Sequence, residues 1–203
     1  VKKQKQDTFL NNTLDKFTRH KIAMFSFYFL LFEVFLIVFL PIMIDLDPYT
    51  SNPGYFSSSP SMDFWLGTDD VGRDVFARLI YGGRVSLCVG FFSAIISAAI
   101  GIPLGLLAGY YSGVVRMIIM RLVDIFMSFP AIVIQLVMVT VLGASATSVT
   151  LVIGLLGWTK FARYTYSKVL SVKEQDFVKA AKSNGATSLR QMVQYILPNA
   201  LPP

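Results

Sequence analysis

Ionisable side chains are sparse in this sequence, and the densest set runs from position 69 to 84, where Asp69, Asp70 and Asp74 alternate with Arg73, Arg78 and Arg84. Carboxylates this close could share a proton for acid–base work. The spacing favours a plainer reading. Asp69 with Arg73, and Asp74 with Arg78, are acid-before-base pairs four residues apart, a solvated helix face worth roughly 0.2–0.5 kcal/mol per pair. The single histidine, His20, sits between Arg19 and Lys21 at the edge of an apolar run and reads as interfacial. Cys88 is the single cysteine, so no internal disulfide forms, and its apolar neighbours make it a packing residue. The sequence has no metal-spaced Cys or His cluster, no Gly-x-x-x-x-Gly-Lys-Ser/Thr loop and no Gly-x-Ser-x-Gly elbow. No catalytic, cofactor-binding or metal-ligating residues are expected.

The elements that must carry these side chains are apolar. Hydrophobic residues are 54% of the 203 and charged residues 15%, and the mean hydropathy is +0.59. A soluble domain of this size could not bury that much apolar surface, so an all-α, polytopic membrane helix bundle is expected. Residues 22–44 match the length of a first transmembrane helix, with Glu33 at its middle as the one charge. Residues 45–84 form the longest loop, turn-rich at first and then regular, with Thr68 or Asp69 placed to cap a short interfacial helix. Residues 85–111 read as the second crossing. Ser93, Ser97, Gly101, Gly105 and Gly109 recur every fourth position there as a close-packing stripe, and Pro103 should bend it. Residues 126–142 read as a third crossing and 149–158 as a short fourth one, with Lys160 and Arg163 snorkelling to the surface.

Residues 171–198 are the one long polar segment after the apolar runs, and they read as two helices joined at Gly185. Ser171 with Glu174, and Ser188 with Gln191, have capping-box spacing. Leu189, Met192, Val193 and Ile196 build one apolar face against a polar one of Arg190, Gln191 and Gln194, and Pro198 should stop the helix.

Fifteen of the 18 Lys and Arg residues lie in the amino-terminal segment, the 112–127 connection and the tail, and the other three lie in the 45–84 loop. The cationic bias puts the amino terminus and the 171–198 loop on the cytoplasmic side, and it explains the net charge of +6 without nucleic acid.

Two stretches carry a resemblance. Lys179, Ala180 and Ala181, then Gly185, and finally Leu197 and Pro198 resemble the Glu-Ala-Ala, Gly, Ile-x-Leu-Pro signature of ABC importer permeases, with Lys179 in place of the family's Glu and Tyr195 in place of its Ile; the resemblance implies that Asn184, Ala186 and Arg190 belong to the same ATPase-coupling loop. Gly67, Thr68, Asp69, Gly72, Arg73, Asp74, Arg78 and Arg84 resemble the loop before the second helix in the dipeptide, oligopeptide and nickel branch of that family. Phe64 stands there for a common His and Ala77 for a common Ser. Arg121, Asp124 and Pro130 match a third family pattern. With the chain identified on these residues as a member of that family, the resemblance implies a cytoplasmic amino-terminal segment at 1–21, transmembrane helix 1 at 22–44, an extracytoplasmic loop at 45–84, and a permease transmembrane domain at 85–203 that includes the coupling loop 171–198. It implies six membrane helices, four of them present here, so a carboxy-terminally truncated fragment is expected.

What the resemblance implies about partners is equally specific. They are cytoplasmic ABC ATPase subunits that hydrolyse ATP, a second homologous permease, an extracytoplasmic substrate-binding protein and the lipid bilayer of the cell membrane. The expected function is ATP-driven import of peptides or nickel, with no cofactor in this chain. The alternative is a non-transporting or decayed subunit that keeps the fold. The 67–84 motif is expected to be structural.

Overall fold

The computed structural model describes residues 17–200 and separates into two compact units, Val1–Ser86 and Leu87–Pro203. Residues 1–16, most of the expected cytoplasmic segment, and residues 201–203 lie outside the described residues. The protein is an all-α, multi-pass membrane helix bundle. Among the described residues the only extended pairing is an isolated bridge between Thr68 and Asp74.

In the first unit, α1 (Lys21–Met43) lies within a residue of the expected crossing at each end. The His20 ring caps it, Nδ1 accepting from the Ala23 amide at 3.2 Å. No residue of α1 is buried, and large apolar side chains are exposed on every side of it, as for a helix whose solvent is hydrocarbon. Glu33 is half-buried. The separate interfacial helix expected after residue 68 does not form. Residues 68–74 are a loop, and α2 (Val75–Tyr110) begins with Asp74 as its cap, the carboxylate accepting from the amides of Phe76 (2.8 Å) and Ala77 (3.4 Å). The short helix and the second crossing are one 36-residue element, about 54 Å long. Gly82 and Gly83 lower helix propensity by about 1 kcal/mol each, too little to break an element this apolar.

In the second unit the remainder of α2 is joined by α3 (Val114–Ser128), α4 (Ala131–Leu142), α5 (Ala146–Val172) and α6 (Asp176–Ser183). They are followed by α7 (Ser188–Arg190), a π-helical turn (Gln191–Ile196) and α8 (Leu197–Ala200). The expected third crossing is bent: α3 and α4 meet at 83° across Phe129 and Pro130, because Pro130 lacks the amide that would continue the ladder and its predecessor is pushed to an extended conformation (Phe129 ψ 142). α5 has 27 residues where only 149–158 were expected.

Among the described residues, α1 and α2 are each long and apolar enough to cross a membrane, and α3 with α4 would give a third crossing if the bent pair is one span. α5, the expected fourth, is long enough but carries Lys160, Arg163 and Lys168, which make it less apolar than the others.

The small-residue stripe of α2 packs against α5. A Cβ on Gly105 would lie 2.7 Å from Thr165 Cβ, and one on Gly109 would lie 2.6 Å from Val169 Cβ. Ser97 is buried and its hydroxyl donates to the Gly154 carbonyl at 2.9 Å. Such an approach lets two helices gain dispersion contact that lipid does not supply. α2 continues as helix through Pro103. α3 adds Val123 against Trp158 and Ala162 of α5, and Asp124 pairs with Arg163.

Candidate functional site

The 171–198 segment forms a helical hairpin whose underside is fastened to the ends of α2 and α5. α5 runs on to Val172, so Ser171 lies inside it rather than capping a new helix as its spacing with Glu174 suggested; the cap of α6 is Gln175. Lys173, just past α5, donates from Nζ to the Gly109 carbonyl at 3.0 Å, placing a cation at the negative end of α2. α6 is itself aligned with its dipole, with Asp176 in the first turn and Lys182 in the last.

Gly185 does what its position required. Its φ is +80°, and a full Schellman closure surrounds it: the Ala186 amide donates to Ala181 O and the Gly185 amide to Lys182 O, both at 3.0 Å. The next helix is capped one residue earlier than its Ser188–Gln191 spacing suggested, by Thr187, whose hydroxyl oxygen accepts from the Arg190 amide at 3.4 Å.

The turn that follows is π-helical, and this overturns two expectations. Pro198 does not stop the helix; it lies in α8. In an α-helix its ring would press on the carbonyl four residues back, but the wider π-turn re-registers the ladder, the Leu197 amide bonding Met192 O five residues away. The same shift splits the expected apolar face. Met192 and Ile196 are buried, whereas Leu189 and Val193 are 68% and 49% exposed, and Gln191, assigned to the polar face, is buried at 4%. Gln191 is the staple of the loop: its Nε2 donates to Ala186 O at 2.6 Å, and its Oε1 accepts from the Tyr110 hydroxyl at 3.0 Å.

Leu106 of α2, Val169 and Val172 of α5, Val178 of α6, and Met192, Ile196 and Ala200 form one apolar cluster. Leu197 packs against it and Ala181 is buried, while Lys179, Ala180, Asn184, Gly185, Arg190 and Pro198 are exposed and Ala186 is half-buried. Lys179 stands 3.8 Å from Glu174, an exposed pair that adds little to stability. Tyr110 and Lys173 were not singled out in the sequence, where Gln191 reads only as a capping and polar-face residue. Only partners more than 60 residues away in the chain, Gln191 for Tyr110 and Gly109 for Lys173, give the first two their roles.

The residues of the 67–84 motif are tied up in turns, hydrogen bonds and ion pairs. Gly67 (φ +76°) and Gly72 (φ +79°) turn the chain where side chains have no room: a Cβ on Gly72 would lie 2.6 Å from Asn52 O. The Thr68 hydroxyl accepts from the Ser58 amide at 3.0 Å and donates to Tyr55 O. Asp69 accepts from the amides of Val71 (3.0 Å) and Arg73 (2.9 Å) and pairs with two guanidinium groups, Arg73 at 2.8 Å and Arg78 at 2.5 Å. The expected Asp74–Arg78 pair is replaced, because Asp74 is spent on the helix cap. Desolvation pushes the Asp69 carboxyl up, but the two amides and the Arg73 guanidinium outweigh it and hold the group at about 2. Arg84 answers a defect in α1. Pro41 has no amide to give Ile37 O, and Arg84 Nε donates to that carbonyl at 2.9 Å, with Nη2 on Val38 O at 3.2 Å.

Comparison with known proteins gives the family, with family matches that cover the hairpin but not residues 67–84. Residues 101–203 match the family described as binding-protein-dependent transport system inner membrane component, and residues 8–60 match the N-terminal TM domain of oligopeptide transport permease C. The chain is 36% identical over 185 residues to the dipeptide transport system permease protein DppC of Alkalihalophilus pseudofirmus, covering 91% of this chain and 61% of that protein. It is 31% identical over 186 residues to the oligopeptide transport system permease protein OppC of Bacillus subtilis, covering 92% and 61%. It is 36% identical over 145 residues to the glutathione transport system permease protein GsiD of Pectobacterium atrosepticum, covering 71% and 48%. The chain thus spans about three fifths of the length of its dipeptide and oligopeptide relatives.

Proposed function

The chain belongs to the binding-protein-dependent transport system inner membrane component family, and from that premise we propose that it is a permease subunit of an ATP-driven ABC importer that passes peptides across the cell membrane. The observation that carries this reading is the hairpin centred on Gly185: its upper side is exposed while its underside shares one apolar cluster with the ends of α2 and α5. Such a part is built to receive force. A partner seated on Lys179, Ala180, Asn184, Gly185 and Arg190 would move Val178, Met192 and Ile196, and with them Leu106 and Val169. The close α2–α5 seam would carry that displacement along the helices, because packed interfaces shift as units rather than deform continuously.

The partner is a cytoplasmic ATPase subunit, which places the amino terminus and the hairpin in the cytoplasm, in agreement with the cationic bias of those segments. A second, homologous permease completes the path, and an extracytoplasmic binding protein delivers the substrate. Peptides are favoured over nickel because the relatives are named for dipeptide, oligopeptide and glutathione transport. The 67–84 scaffold holds the loop and braces α1 at its proline.

The test is reconstitution of the full importer, with this subunit, in proteoliposomes. Peptide uptake should require ATP inside the cytoplasmic compartment and loaded binding protein outside. Flux without ATP, or ATP hydrolysis indifferent to the binding protein, would overturn the proposal.

A further inference from the structure

With α5 taken as the fourth crossing expected from the sequence, one of its side chains is out of place for such a helix. Lys160 is about 21 Å along the axis from the first residue of α5 and about 18 Å from the last. A 27-residue helix exceeds a hydrocarbon layer of about 30 Å by only about 10 Å, so even with all of that excess on one side the Lys160 backbone stays well inside the membrane. The snorkelling expected of it would have to bridge that depth.

Its neighbour one turn on, Arg163, is neutralised by Asp124 of α3. Lys160 has no ion pair or hydrogen bond to any described residue. It is exposed, and it lines a cavity of about 130 Å³ that opens beside the 83° break between α3 and α4. Phe126, Phe129, Ile134 and Leu156 make the apolar wall, and Thr159 lies beside Lys160 with its hydroxyl turned back to the Leu156 carbonyl at 3.3 Å.

A cation at this depth is costly unless it faces water or an anion, and intramembrane charges mark transported-solute pathways. An apolar wall with one unpaired ammonium suits a solute with an apolar body and a carboxylate end, and a bent helix is where a cavity can open without stripping the backbone of its bonds. We propose that Lys160 is a substrate-contacting residue of the translocation path that receives the carboxyl-terminal carboxylate of the peptide at the α3–α4 break. The inference rests on the importer reading and deepens it: the path prefers peptides with a free carboxylate.

The experiment measures binding of radiolabelled trialanine and of its carboxyl-terminal amide to the purified permease–ATPase complex, without binding protein, for wild type, Lys160→Gln and Lys160→Arg. Wild type should bind the free peptide about tenfold more tightly than the amide. Lys160→Gln should bind both at the level of the amide, and Lys160→Arg should keep the preference. Equal binding of the two peptides by wild type, or an undiminished preference in Lys160→Gln, would overturn the proposal. Hydrolysis stimulated by loaded binding protein is measured in parallel. If stimulation persists without any preference, only the role of Lys160 falls; if stimulation is also absent in wild type, the importer reading falls with it.

Discussion

Replacing Gly105 with alanine adds one methyl group where none fits. The new Cβ would lie 2.7 Å from Thr165 Cβ and closer still to the Ala162 carbonyl oxygen. Carbon atoms pack at about 3.5–4.0 Å, so the seam would have to open by about 0.8 Å or more, and backbone cannot swing aside as a flexible side-chain tip can. Overpacking of this kind costs about 1–3 kcal/mol. Gly90, on the same helix, is the control: nothing stands within 4 Å of its added Cβ, and alanine there gains helix propensity of up to about 1 kcal/mol. The two variants make the same chemical change and differ in what the methyl meets. Thermal unfolding of the purified subunit in detergent, followed by circular dichroism, should show Gly105→Ala lowered by about 2–10 °C and Gly90→Ala unchanged or raised. If both variants shifted alike, the close α2–α5 seam would not exist in the protein, and the route from hairpin to membrane helices would lose its middle link.

Arg84→Leu should cost about 1–3 kcal/mol, because it leaves the Ile37 carbonyl without a donor. Pro41→Ala returns an amide donor to that carbonyl, so the cost of Arg84→Leu should shrink in the Pro41→Ala background; equal costs in both backgrounds would refute the bracing role. For Asp69 the sign follows from its lowered pKa. Its carboxylate stabilises the loop fully above the ordinary value of 3.8, and the contribution disappears as pH falls through about 2. Trp65 fluorescence in a Trp158→Phe background should therefore be flat from pH 7 to about 4 and change only below that, and a transition near pH 6 would contradict it. Gly185→Val forces a β-branched residue to a φ of +80° with nothing crowding it, so it should leave peptide binding intact while lowering ATP-driven uptake of the assembled importer severalfold through a misshapen hairpin.

The membrane class, the limits of α1, the small-residue seam and the glycine of the hairpin were legible because each depends on local spacing. Gly101, Gly105 and Gly109 need only a period of four to announce a shared face, and Gly185 only its place after a helix. What escaped depends on partners distant in the chain or on a changed helical period. Arg84 is meaningful only beside the proline defect of α1, and Gln191 only beside Tyr110. Leu189 and Val193 were placed on the buried face by assuming an α-helical period throughout, and the π-turn broke that assumption. Asp74 shows a different failure. Its spacing to Arg78 suited an ion pair equally well, but a helix start needs an acceptor for its free amides, and that demand took the carboxylate.

The central claim is that the exposed side of the hairpin is the seat of an ATPase subunit, and a photo-cross-linker on Asn184→Cys, in a Cys88→Ser background and within the full importer, tests it most directly. A benzophenone attached there should give an adduct with the ATPase whose yield changes when ATP is added, while the same probe on Tyr49→Cys in the 45–74 loop should give none. Failure of the Asn184 probe to label the ATPase in an importer that hydrolyses ATP would contradict the account.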